Sequence, residues 1–189
     1  MPRAGLDAGS VTAAGAALAD EIGFDRLSMG LLAERLGVKA PSLYKHVAGQ
    51  ADLSHRIGIL AMTEIADAIG EATRGRAGRD ALVAGADAMR TYALEHPGRY
   101  TAGNAARPGG PDDPLRAAVD RLFASWSAML RGYRLDPDQE IHVLRLLRST
   151  LHGFASLEAT GGFRIGIDVD DSFTWVVRFI DQGLRTTRQ

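Results

Sequence analysis

The chain has 189 residues, 20.2 kDa, 22 basic and 23 acidic side chains and a net charge of −1, room for one or two small domains. A uniformly basic nucleic-acid binder is excluded by the charge, a disordered chain by the 46% apolar content, and a disulfide framework or thiolate metal site by the absence of cysteine. No apolar run reaches the roughly 18 residues of a membrane span, and Met1-Pro2-Arg3-Ala4-Gly5 is not followed by a signal-peptide core, so the expected location is the cytoplasm with no membrane partner.

Helical periodicity runs through the chain. Val11, Ala14, Leu18 and Ile22 mark a first helix stopped by Gly23. Ser28 is placed to cap a second, with Leu31, Leu32 and Leu36 as its apolar positions and Gly37 as its end. Pro41 suits the first turn of a third, to about Val47. The fourth spans Ala51 to Thr73 and carries Leu53, Ile57, Leu60, Met62, Ile65 and Ile69. After the break at Arg74-Gly75-Arg76-Ala77-Gly78, the pattern predicts helices over Asp80–Glu95, Leu115–Leu130, Pro137–Glu158 and Ser172–Arg185, with a loop from Gly103 to Pro114. Ile141, Leu144, Leu147, Leu151 and Phe154 form the stripe of the penultimate helix. Ile165, Ile167 and Val169 alternate, too briefly to support a sheet.

The second and third helices, joined by a glycine turn, fit a helix-turn-helix. Ala33 permits a close crossing, Val38 plugs the turn, and Leu43 and Val47 seat the third helix on Leu32 and Leu36. Lys39, Ser42, Tyr44, Lys45 and His46 are then left outward, with groups suited to phosphates and base edges. Charge follows the same division. Residues 35–56 carry four cations (Arg35, Lys39, Lys45, Arg56) and one acid, Asp52, whereas residues 1–34 carry two arginines against five carboxylates.

Gly23-Phe24-Asp25-Arg26-Leu27-Ser28-Met29, then Leu32-Ala33-Glu34-Arg35-Leu36-Gly37-Val38, then Pro41-Ser42-Leu43-Tyr44-Lys45-His46-Val47, resembles the DNA-binding domain of TetR-family transcriptional regulators. Leu151-His152-Gly153-Phe154 with Gly161-Gly162-Phe163 resembles the regulatory domain called the WHG type, Leu151 standing where that label has tryptophan. Two departures from the family pattern are Gly30 in the second helix and the missing lysine near Gly49-Gln50-Ala51-Asp52-Leu53. The resemblance implies an all-α homodimer and a ligand-responsive regulator. Residues 1–50 would form a three-helix helix-turn-helix DNA-binding domain and residues 51–189 a helical ligand-sensing and dimerisation bundle. The expected function is sequence-specific DNA binding, as a repressor on a palindromic double-stranded operator.

Candidate effector contacts are Met89, Tyr92, Tyr100, Phe123, Trp126, His152 and Phe154, since adaptable Met and aromatic side chains suit a cavity. No arginine cluster converges on these positions, so the expected effector is small and apolar or aromatic. The last helix has two apolar faces, Phe173, Val176, Val177, Ile180 and Leu184 on one and Trp175 and Phe179 on another. One face more than a surface helix needs points to dimerisation, expected through Leu144, Leu151, Val177, Ile180 and Leu184. The rival reading is a helical protein-interaction or small-molecule-binding module without DNA binding. An enzyme is not expected. The sequence has no Gly-x-Ser-x-Gly elbow, zinc helix, P-loop or dinucleotide loop, and His142 and His152 are too far apart for a helical metal pair. No cofactor or metal is expected.

Overall fold

The computed structural model describes residues 6–186; the Met1–Gly5 segment read above for a leader lies outside them. Every regular element among the described residues is helical: α1 (Ala8–Ile22), α2 (Met29–Leu36), α3 (Ala40–Leu43), α4 (Gln50–Thr73), α5 (Arg79–Glu95), α6 (Pro97–Ala105), α7 (Pro114–Leu130), α8 (Pro137–Ala159) and α9 (Val169–Thr186). No helix among these is long and apolar enough to cross a membrane.

The helix ends follow local chemistry. Asp7 and Asp136 form capping boxes with Ser10 and Gln139 at the starts of α1 and α8. The Ser28 hydroxyl accepts from the Leu31 amide and starts α2. Gly23 and Gly37 end α1 and α2 at φ of 91° and 65°, backbone that glycine adopts without strain.

The chain divides into two compact units, residues 1–63 with 95–119, and residues 64–94 with 120–189. This differs from the boundary expected at residue 50. The first unit keeps the beginning of α4 and takes in α6 and the start of α7.

The core of the first unit gathers Val11, Leu18 and Ala19 of α1, Leu32 and Ala33 of α2, Leu43, Val47, Leu53, Ile57 and, from α6, Ala102. Helix α6 was not expected, because nine residues rich in glycine and alanine carry no apolar stripe. It packs through smallness instead. A Cβ at Gly98 would collide with the backbone carbonyl of Ala19, and one at Gly103 would meet Met62 at 2.6 Å. Asp113, in the loop before α7, accepts from the amides of Gly109 and Leu115 and faces His55 of α4 at 2.9 Å. The two amide bonds, with His55 adding to them, lower its pKa to about 2.

The second unit buries Ile65, Leu82, Met89, Met129, Leu147, Leu151, Phe173, Val177 and Leu184. Arg90 of α5 forms ion pairs with Glu158 of α8 and, at 2.6 Å, Asp170 of α9, and its guanidinium lies 4.7 Å from the centre of the Phe173 ring. Tyr133 donates to the buried Asp181 at 2.7 Å; burial first and that carboxylate second hold the phenol well above its usual pKa.

Two glycine substitutions test this packing in opposite directions. Gly98→Ala should cost about 1–3 kcal/mol, because the new methyl meets backbone that can only shift. Gly70→Ala adds a Cβ with nothing within 4 Å inside α4, and should be neutral or stabilising by up to about 1 kcal/mol. Urea unfolding of both variants is the measurement; equal stability of the two would refute the close α1–α6 approach.

Candidate nucleic-acid interface

The outward face of residues 37–50 is built from a short chain of local constraints. Gly37 in the left-handed region reverses the chain, and its amide reaches the carbonyls at the end of α2. The Val38 amide donates to the Ala33 carbonyl at 3.0 Å, so the turn closes on α2 itself. Pro41 opens α3. Only Ala40–Leu43 is helical, ending four residues earlier than expected; Tyr44, Lys45 and His46 continue as turn. The amides of His46 and Val47 still donate to the Leu43 carbonyl, at 2.9 and 3.0 Å, which fixes these turn residues relative to α3.

Leu43 and Val47 anchor the segment, at 0% and 2% exposure. Their burial faces the other side chains outward. Tyr44 is 55% exposed, Lys39 and Lys45 are exposed, and Ser42 and His46 are half-buried. The five expected DNA-contacting residues therefore lie in one short segment braced from beneath. Leu31 departs from expectation: it is 43% exposed, because Leu32 already fills the inward position.

The local cations divide into spent and unspent. Arg35 forms a two-pronged pair with Glu21 of α1, both contacts 2.6 Å, and the pairing holds the Glu21 carboxyl below its usual pKa. Arg56 pairs with Asp52 one turn earlier in α4 at 3.0 Å. Burial opposes ionisation of Asp52, but hydrogen bonds from the Ala48 amide and Arg56 outweigh it and lower its pKa. Lys39 and Lys45 make no ion pair among the described residues. Of the four cations counted in the sequence, these two remain available to phosphate. Sequence reading missed these pairings because the Arg35 partner lies 14 residues away, across a helix crossing. It also missed the Gln50 side chain, which donates to the Leu27 carbonyl at 3.0 Å and ties the start of α4 to the entry of α2.

The other candidate positions are redistributed. Met89, Tyr92, Trp126 and Phe154 are buried in the second unit and His152 is half-buried there, whereas Tyr100 is buried in the first. Phe123 is 43% exposed, because the inward line of α7 runs through Ala118, Trp126 and Met129. The Tyr92 hydroxyl donates to Glu64 at 2.7 Å, and Phe154 packs on Phe163 and Phe173.

The expected dimer contacts lie mostly within their own chain's packing. Leu151, Val177, Ile180 and Leu184 are at most 5% exposed within their own chain, and Leu144 is half-buried. The periodic stripe of α9 is its inward face. The apolar surface lies on the other face, where Trp175 and Phe179 stack at 5.4 Å with 61% and 62% exposure. With Leu146, Thr150 and Val176 they border a groove of about 450 Å³ that reaches down to Ile180 and Leu184.

Residues 11–57 match the family model for bacterial regulatory proteins of the tetR family, and residues 82–180 match that for a tetracyclin repressor-like C-terminal domain. An uncharacterized HTH-type transcriptional regulator from Mycobacterium tuberculosis is 39% identical over 89% of this chain and 78% of its own length. Among solved structures, a protein of unknown function from Rhodococcus superposes with a TM-score of 0.81 at 21% identity, over 98% of this chain and 99% of that one. BioQ with its natural double-stranded DNA operator superposes with a TM-score of 0.68 at 21% identity, over 96% and 99%. At these identities the two structural likenesses concern the fold.

Gly37→Ala forces an L side chain into left-handed backbone at the turn. A loss of about 1–2 kcal/mol in unfolding free energy is expected, whereas Gly30→Ala, at an exposed helical position with φ in the ordinary range, should gain stability. Chemical denaturation of the two variants checks the turn directly.

Proposed function

The chain belongs to the TetR family of bacterial transcriptional regulators, DNA-binding proteins and not enzymes, and from that membership we propose a ligand-responsive repressor that works in the cytoplasm as a homodimer on a palindromic operator. The observation that carries the DNA-contact reading is the segment 39–46, whose two lysines, without an ion pair among the described residues, and exposed tyrosine stand over a buried Leu43–Val47 anchor. Lys39 and Lys45 serve phosphate contact. Tyr44, Ser42 and His46 supply a phenol, a hydroxyl and an imidazole for phosphate or base edges. BioQ, held on its double-stranded operator, supports the same use of this fold.

A single segment of this size reads only half of an operator. Two copies facing successive major grooves, about 34 Å apart, require a dimer. The Trp175–Phe179 face of α9 is the surface for it. Two large rings more than half exposed are costly to leave in water, and the same patch on a second copy would cover both sets. Helices α8 and α9 thus each give one face to their own core and one to the partner.

The effector reading rests on Met89, Tyr92, Trp126, His152 and Phe154, all in the second unit. A small apolar or aromatic compound would bind among them, with Tyr92 or His152 supplying hydrogen bonds. Its release of DNA follows from a preference for a form in which the two reading segments no longer match the groove spacing, and the coupling is reciprocal: bound operator must weaken effector affinity by the same factor.

Lys45→Ala should weaken operator binding and reduce the slope of log affinity against log salt by about 0.9, and Tyr44→Phe should weaken binding with that slope unchanged. Gel shifts or anisotropy across a salt series read both; an unchanged affinity and slope in Lys45→Ala would remove that residue from the interface. The dimer surface makes a contrasting pair. Phe179→Arg should give a folded monomer by sedimentation, because the position is exposed, whereas Ile180→Arg should unfold the second unit. A folded dimer of Phe179→Arg would place the interface elsewhere.

A further inference from the structure

The second unit holds a cleft of about 530 Å³ where the end of α4, the 74–78 turn and the end of α7 meet. Four arginines line it: Arg74, Arg76, Arg121 and Arg131. The sequence gives no sign of this convergence, since 57 positions separate the first from the last. Arg74 pairs with Glu71 at 2.6 Å and Arg121 with Asp67. Arg76 and Arg131 make no ion pair among the described residues, and all four remain exposed. We propose that this cleft is a second ligand site, distinct from the aromatic set above, that takes a small metabolite bearing a phosphoryl or carboxylate group.

Three features support a site over a chance gathering of surface charge. The floor is made of small side chains, among them Gly70, Ala124, Ser125 and Ala128, so the depression is built into the α4 and α7 sequences. Its wall is fixed. Gly132 lies so close to the turn that a Cβ there would strike the Gly78 amide nitrogen, and Gly75 and Gly78 hold left-handed backbone at φ of 72° and 56°. Its donors exceed local need. The C-terminal ends of α4 and α7 each present about half a negative charge, and Glu71 and Asp67 offset two arginines. Arg76 and Arg131 then supply positive charge beyond those demands, and a guanidinium carries five N–H donors of which a carboxylate pair uses only some. A forked guanidinium pair matches the oxygens of a phosphoryl or carboxylate group, and the alanine and glycine floor accepts the rest of a small molecule.

Calorimetric titration of the whole protein with inorganic pyrophosphate and, separately, citrate tests this without DNA, so its result is independent of whether the helix-turn-helix binds an operator. One saturable site per chain is expected for at least one probe, and the probe preferred tells the phosphoryl from the carboxylate source. Arg76→Ala with Arg131→Ala should weaken it about tenfold or more. Ala128→Phe, which fills the floor while keeping every arginine, should weaken it likewise. Arg145→Ala with Arg164→Ala, a matched charge loss elsewhere, and Arg148→Ala should leave it unchanged. Circular dichroism confirms that each variant is folded, and Arg76→Glu alone stands in if the double variant is not. Absence of saturable binding for both probes, equal binding in the Arg76/Arg131 or Ala128 variants, or equal loss in the two controls would each overturn the proposal.

Discussion

Two adjacent carboxylates at the end of α1 set how the helices around the apolar core of the first unit are oriented. Asp20 accepts from the Arg99 amide at 2.8 Å, pairs with the Arg99 guanidinium at 2.9 Å and faces His96 at 3.4 Å. Glu21 takes the Arg35 fork. Acids in the last turn of a helix oppose its macrodipole, so their placement there makes sense through their distant partners. Asp20 caps a helix that is not its own. His96, at the cap position of α6, gives no side-chain capping bond to that helix, and Asp20 satisfies the third amide of α6 in its place. Neighbouring residues on α1 thereby fix α6 on one side and α2 on the other. The turn after α2 closes on that helix through Val38, so its position is inherited from α1.

The same economy governs the charges around that turn. A window with four cations and one acid has only two cations left over after one pairing within α4 and one across to α1, and both are lysines on the outward face. Arginine serves as brace, where its fork fits a carboxylate, while lysine is left as a mobile point charge. Net charge alone conveys none of this. What matters is which cations already have a carboxylate.

The sequence made the helix-turn-helix legible because its constraints are local: a serine cap, a glycine turn, a proline start and two buried aliphatics four apart all fall within 20 residues. Helix α6 was illegible because it packs by backbone proximity, with Gly98 and Gly103 in place of large apolar residues. The shortness of α3 was hidden because the His46 and Val47 amides keep helix-like hydrogen bonds to the Leu43 carbonyl although residues 44–46 are turn. On α9 the two apolar faces were visible, but which of them its own chain buries was not. Periodicity reports that a face is apolar, not whether its own chain or another covers it, and only burial separates Val177 from Phe179. The arginine cleft had no local signal, since its residues meet through the packing of α4 against α7, where Ser125 donates to the Ala66 carbonyl.

Lysine is nearly absent from this chain: Lys39 and Lys45 are its two ε-amines among 22 basic residues. Both stand exposed on the segment 39–46. Any reaction that acylates lysine side chains therefore has its side-chain targets confined to this one face, and each event removes a charge that no carboxylate among the described residues was neutralising. In a protein with lysines scattered over its surface the same reagent would spread its effect. Here the distribution of a single residue type turns a general amine chemistry into a selective one.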